Sequence, residues 1–140
     1  GRSMQFKMIT ADFAVGPQPS LDELKHLRKF GFKSMMINRP EAESVDQPTH
    51  SEEVAVASEM GLQTVIMPVV SGQPTSELIE QFKKAYEELP KPIFAHCRSG
   101  PRSVMLWALG QKGQRDVEDI IRLAADAGFD VSMLRSFLQD

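Results

Sequence analysis

Cysteine is nearly absent from this chain: Cys97 stands alone among 140 residues. An internal disulfide is therefore excluded, which agrees with a reducing compartment, and a cytoplasmic location is the expectation. Positive charge is not in excess either. Sixteen Lys and Arg against 19 Asp and Glu leave a formal net charge of −3, so nothing in the balance points to nucleic acid or to an anionic membrane. Local basic pockets are compatible with that sign. No apolar run approaches the ~20 residues that a bilayer span requires, and no amino-terminal signal sequence is visible. Histidine is scarce, with three residues, and no metal-ligand spacing occurs. The eight Met are scattered and have no His companions, so they read as core filler and not as a copper site. Internal repeats and low-complexity linkers are missing too. These absences lead to an expectation of no metal, no cofactor, no nucleic-acid partner and no membrane partner, and they leave the oligomeric state open.

What is present is an alternation of strand-like and helix-like patterns over a length that fits one domain with a proper core. Gly1-Arg2-Ser3 before Met4 reads as a cloning remnant, and residues 4–140 as a single domain. Asp12–Val15 is a short, weakly signalled strand, followed by the turn cluster Gly16-Pro17-Gln18-Pro19. Ser20-Leu21-Asp22-Glu23 is a capping box that opens a helix, and Gly31 suits its end. Lys33–Asn38 is the next strand, stopped by Arg39-Pro40. Thr49-His50-Ser51-Glu52 is a second capping box, and Gly61 closes its helix. Gln63–Met67 is a clear strand ended by Pro68. After the turn Ser71-Gly72-Gln73-Pro74, the residues Leu78, Ile79, Phe82, Ala85, Tyr86 and Leu89 mark an amphipathic helix. Ile93-Phe94-Ala95 is the last strand, and helices follow around 102–112, 116–127 and 131–138. Such alternation implies an α/β fold: a central, mostly parallel sheet of about four strands with helices on both faces. Ligands of such sheets bind at the carboxyl ends of strands.

Cys97 lies at such an end, within His96-Cys97-Arg98-Ser99-Gly100-Pro101-Arg102-Ser103. A tight strand-to-helix loop turns several backbone N–H groups inward and makes an anion cradle, reinforced by the helix dipole. Gly100 permits a backbone geometry that other residues resist, and Pro101 suits the first turn of a helix. Arg102 can place a planar fork on an oxyanion. The N–H groups that stabilise a bound anion also favour a thiolate at the rim. A lone Cys after an apolar strand is ordinarily a small buried hydrophobe. That role does not call for Gly-Pro-Arg-Ser behind it, so the octet points to a nucleophile facing an anion site.

His96-Cys97-x-x-Gly100-x-Arg102-Ser103 resembles the signature loop of cysteine-dependent phosphatases and of rhodaneses. Further stretches, Gly16–Ser20, Gly31-Phe32-Lys33, Ile37–Glu41, Met67-Pro68-Val69, Leu106-Trp107-Ala108 and Ala127–Asp130, stand in the order seen in the small bacterial beta-lactamase-hydrolase-like phosphatase family. The resemblance covers nearly the whole chain and implies a cysteine-phosphatase-like fold, related to dual-specificity phosphatases, acting on a small anionic substrate. It implies Cys97 as nucleophile through a phosphocysteine and Arg102 as oxyanion clamp; Ser103 is either a hydrogen-bonding group for the sulfur or a local helix-start hydroxyl, and His96 either orients the loop or is a satisfied, half-buried structural histidine. Arg98, Ser99, Gly100 and Pro101 would line the anion site. Arg98 either widens its positive field or is simply solvated, and Arg39, at the end of the second strand pattern, would add a substrate contact. His26 and His50 read as surface residues.

Two departures keep other chemistries open. Four residues separate Cys97 from Arg102, where the usual phosphatase loop has five. That shorter ring resembles the persulfide-carrying loop of rhodaneses, so sulfur transfer through Cys97 is an alternative, and a non-catalytic anion-binding module is a third. The loop Pro68–Gln73, where related phosphatases place a general-acid Asp, has no carboxylate. Asp46, after the second strand pattern, is the nearest substitute.

Overall fold

In the computed structural model, which describes residues 4–70 and 74–139, five strands form one sheet in the order β1-β2-β5-β3-β4. They are β1 (Lys7–Thr10), β2 (Phe13–Gly16), β3 (Ser34–Ile37), β4 (Gln63–Ile66) and β5 (Ile93–His96). The helices are α1 (Leu21–Leu24), α2 (His50–Glu59), α3 (Ser76–Glu88), α4 (Pro101–Gly110), α5 (Val117–Asp126) and α6 (Arg135–Leu138). The fold is therefore α/β with a mostly parallel sheet, as the alternation implies. β2, β5, β3 and β4 run parallel, while β1 joins β2 antiparallel. The expected remnant at residues 1–3 and residues 71–73 of the turn expected at 71–74 lie outside the described residues.

The antiparallel β1 adds an edge strand to the sheet of about four that the alternation implies. β1 has one buried residue, Ile9, and its first two residues are exposed. An edge strand of that kind lacks both the continuous apolar run and the clean alternation by which a strand is read. Its pairing is set by the turn at Ala11-Asp12, where Asp12 N–H donates to Thr10 Oγ1 at 3.2 Å.

The three inner strands β2, β5 and β3 are buried along their whole length. Their side chains alternate between two cores. Phe13, Val15, Met36, Ile93 and Ala95 face a layer containing Phe82, Trp107, Ile120 and Ala124 from α3, α4 and α5. Ala14, Met35, Ile37 and Phe94 face the opposite layer with Leu24, Leu27, Phe32 and Ala57. Each large side chain buried this way contributes roughly 1.5–3 kcal/mol. α4 is buried on most of its surface because α3 crosses it closely: a Cβ on Gly110 would lie 2.4 Å from Phe82 Cδ1. Both capping boxes form, Ser20 with Glu23 and Thr49 with Glu52. The first helix is shorter than its pattern suggests. α1 gives way to a 3-10 turn, Arg28–Phe30, which ends at Gly31 with φ +95°.

Candidate active site

β5 is the central strand, so the loop that leaves its carboxyl end emerges between the ends of β2 and β3. Cys97 begins that loop and is 1% exposed, whereas the next two residues, Arg98 and Ser99, are exposed. Gly100 takes φ +114° and forms the N-cap of α4, with Pro101 in the first turn. Its backbone N–H donates to Cys97 Sγ at 3.1 Å. Among the described residues no side chain caps this helix start, which leaves its first-turn N–H groups to an anion. A side chain at residue 100 would be excluded twice over. The φ is one that L residues rarely adopt, and a Cβ would sit 2.9 Å from Phe129 Cζ.

The other residues at this edge form a hydrogen-bonded belt around the loop. The buried His96 ring places Nε2 2.7 Å from Glu53 Oε1, and its Nδ1 lies 3.1 Å from Cys97 O. Glu53 Oε2 accepts from Gln18 Nε2 at 3.3 Å, and Gln18 N–H donates to Arg98 O at 2.9 Å. Gln18 Oε1 accepts from Arg39 at 3.3 Å, and Arg39 Nε donates to Glu43 Oε1 at 3.1 Å. Glu43 in turn grips Arg102 with both oxygens, at 2.7 and 2.8 Å. Arg102 also donates to Val69 O at 2.9 Å, which ties the loop after β4 to the site.

Electrostatics follows that geometry. The hydrogen bond from Arg102 holds the Glu43 carboxyl down at about 2, against some opposition from burial and with help from Arg39. Arg102 is held above its ordinary value, first by its bond to Glu43 and also by attraction to Cys97. The exposed Asp46 is lowered chiefly by its hydrogen bond from Ser44, with Arg39 and Arg98 adding to the effect. It is thus ionised and carries no proton to give at neutral pH.

The structure brings His96, Cys97, Gly100, Arg102 and Ser103 together at one end of β5 and the start of α4. Pro101 is exposed in the first turn. Ser103 directs its hydroxyl proton to Asn38 Oδ1 at 2.8 Å, and Asn38 Nδ2 donates to Met67 O at 2.8 Å. The buried Asn38 amide claims the donor that one sequence reading assigned to the sulfur. Arg39 is 5% exposed, and two of its five N–H donors serve Glu43 and Gln18. His50 is corrected outright. It is a buried residue, with Nε2 2.7 Å from Arg39 O, and its backbone N–H donates to the Glu41 carboxylate. The capping-box pattern around it describes its backbone and says nothing of where its ring goes. Gln18, Asn38, Glu43 and Glu53 were missed. Asn38 carried a usable signal, a polar residue just beyond a strand's carboxyl end. Glu53 reads as an ordinary acid in a first helical turn.

A buried cysteine at the carboxyl end of the central strand, followed directly by a helix, sits in a cysteine-phosphatase-like fold. The chain belongs to the family described as "Beta-lactamase hydrolase-like protein, phosphatase-like domain", whose model matches residues 5–114. A Beta-lactamase hydrolase-like protein of Xylella fastidiosa is 29% identical over 97% of this chain. This chain spans about a third (32%) of that relative's length. Among solved structures, a candidate phosphatase from Neisseria meningitidis matches with a TM-score of 0.82 at 24% identity, covering 95% of each chain. The core catalytic domain of the S. cerevisiae PP-IP phosphatase Siw14 matches at 0.70 and 14% identity, over 98% of this chain and 85% of that one. Among the described residues no helix is long and apolar enough to cross a membrane.

Proposed function

We propose that this domain is a cysteine-dependent phosphomonoester hydrolase, and the carrying observation is the Gly100 N–H aimed at Cys97 Sγ from the uncapped start of α4. The Cys97 thiolate attacks phosphorus, a phosphorus–sulfur bond forms, and the phosphorus–oxygen bond to the leaving group breaks with its electron pair going to that oxygen. Water then cleaves the phosphocysteine, which frees inorganic phosphate and restores the thiolate. Arg102 and the N–H groups of Arg98 and Ser99 hold the equatorial oxygens, where charge accumulates, while the Gly100 N–H stays on the sulfur. His96, fixed by Glu53, braces the loop from within through Cys97 O.

No carboxylate stands in the loop after β4, and Asp46 and Glu43 are both ionised at neutral pH. A missing general acid costs roughly 10²–10⁴-fold for leaving groups that need a proton. The enzyme should therefore hydrolyse aryl phosphates and lag on alkyl phosphates. The four-residue spacing between Cys97 and Arg102 favours one second reading, sulfur transfer through a Cys97 persulfide. A single experiment separates the readings: p-nitrophenyl phosphate, an alkyl phosphate, and thiosulfate with cyanide, each offered to the wild type and to Cys97→Ser. The expected result is Cys97-dependent aryl-phosphate hydrolysis with a steep loss toward alkyl esters. Thiocyanate formation without phosphate release would replace this reading with sulfur transfer, and tungstate binding without any turnover would leave an anion-binding module.

A further inference from the structure

Arg102 has five N–H donors in two forks. Glu43 takes one proton from NH1 and one from NH2, and Val69 O takes the second proton of NH1. Among the described residues no oxygen accepts from the fork made by Nε–H and the remaining NH2 proton, and the other group that holds Arg102 is the Cys97 side chain. Glu43 itself is held firmly, because it also accepts from Arg39, a side chain 5% exposed whose backbone carbonyl is fixed by His50. The carboxylate is thus anchored to the end of β3 and grips the clamp arginine 59 residues further along the chain.

From this we infer that Glu43 is a positioning residue. It occupies one fork of Arg102 so that the plane of the guanidinium is set and the other fork faces an oxyanion seated over Cys97. This goes beyond the assignment of Arg102 as clamp, and it distinguishes two opposite consequences of one ion pair. A carboxylate that merely competed with substrate would block the arginine, and its removal would tighten anion binding. A carboxylate that orients the arginine improves the site, and its removal loosens anion binding. The geometry favours the second, because the contact consumes one fork and leaves the other.

The kinetic arm of the test rests on the phosphatase reading, while the binding arm does not. Four proteins are compared: wild type, Glu43→Gln, Arg102→Lys and the double variant. The binding arm reads how sodium tungstate protects Cys97 from iodoacetamide. The kinetic arm reads kcat and KM for p-nitrophenyl phosphate, and a thermal melt checks each fold. With Glu43→Gln, tungstate affinity should fall about tenfold. The kcat should fall ~10–10²-fold, the scale of a clamp displaced by about 1 Å, with KM shifting by less. In the Arg102→Lys background the same substitution should add little, because coupled residues are not additive. Tighter tungstate binding with a lower KM would show Glu43 to be a competitor and overturn the inference. So would an additive loss in the double variant, or a lower melting temperature with binding unchanged. Absence of tungstate protection in the wild type would remove the anion site and the inference with it. Failure of all four proteins to hydrolyse the ester would count against the phosphatase reading alone, since the tungstate series still decides the role of Glu43.

Discussion

Two loops meet at the carboxyl edge of the sheet, and they are built on opposite plans. The loop after β5 is short and makes most of its chemistry from adjacent residues, with Gly100 N–H closing on Cys97 Sγ three positions away. The segment after β3, residues 38–49, is long, polar and largely exposed, and its contacts reach far along the chain. Glu43 grips Arg102, Asn38 receives the Ser103 hydroxyl, and Arg39 bonds Gln18. The first loop supplies the reactive groups; the second fixes their directions. The difference shows that reactivity can be local in sequence while orientation is not.

The sharpest test of that division is Arg102→Lys. Lysine keeps the charge at the cradle but cannot serve Glu43 with one fork and an oxyanion with another. The expected outcome is a ~10²–10³-fold loss of kcat/KM for p-nitrophenyl phosphate, the cost of losing a contact made in the transition state. The melting temperature should fall by only a few degrees, because lysine keeps the charge facing Glu43 and the pair is partly exposed. Near wild-type turnover would break the comparison, because the clamp would then lie outside both loops.

How much of this was legible beforehand depends on contact range. The inner strands, the two capping boxes and the α/β alternation are visible because burial on both faces and helix entry leave local patterns. β1 is not, because one buried Ile at a sheet edge sets no period. Cys97, Gly100 and Arg102 stand within six consecutive residues whose types fit only a few local geometries. Glu43 sits among Glu41, Ser44 and Asp46 in a segment that reads as a solvated loop, and its partner is 59 residues away. Glu53 lies on a helix of weak amphipathicity, where a buried acid has no sequence signature. His50 was misread for the same reason: a cap pattern fixes backbone and leaves the ring's destination to tertiary packing.

Glu53→Ala tests the support beneath the cradle. Glu53 and the His96 ring are both buried, 2.7 Å apart, so truncation leaves the Nε2 of a buried ring without its partner. The expected loss is about 3 kcal/mol of stability, between the cost of an unsatisfied buried polar group and that of a broken buried ion pair. Urea unfolding with an unchanged m-value would measure it. A loss below about 0.5 kcal/mol, the scale of ordinary surface changes, would mean that the belt is tied elsewhere and that the loop after β5 supports itself.

The smallest effect expected is the most diagnostic of the acidic segment. Glu43 has a folded-state value near 2, below its ordinary 4.5, chiefly because Arg102 bonds it. A carboxyl depressed on folding contributes stability that is fully present above its unfolded value and is lost as pH falls through the folded one. The contribution should therefore hold from neutral pH down to about 4.5 and fade toward 2. The pair is partly open to solvent, with side-chain exposures of 19% for Arg102 and 28% for Glu43, so screening reduces it to about 1–2 kcal/mol. The measurement is the difference in unfolding free energy between wild type and Glu43→Gln as a function of pH. Asp46 and Asp130, also lowered, titrate in both proteins and cancel in the difference. A difference that shrinks between pH 4.5 and 2 places the stabilising charge on Glu43. A difference that stays constant would mean that the carboxylate does not couple to Arg102 in solution, and the long-range half of the comparison would lose its best-defined contact.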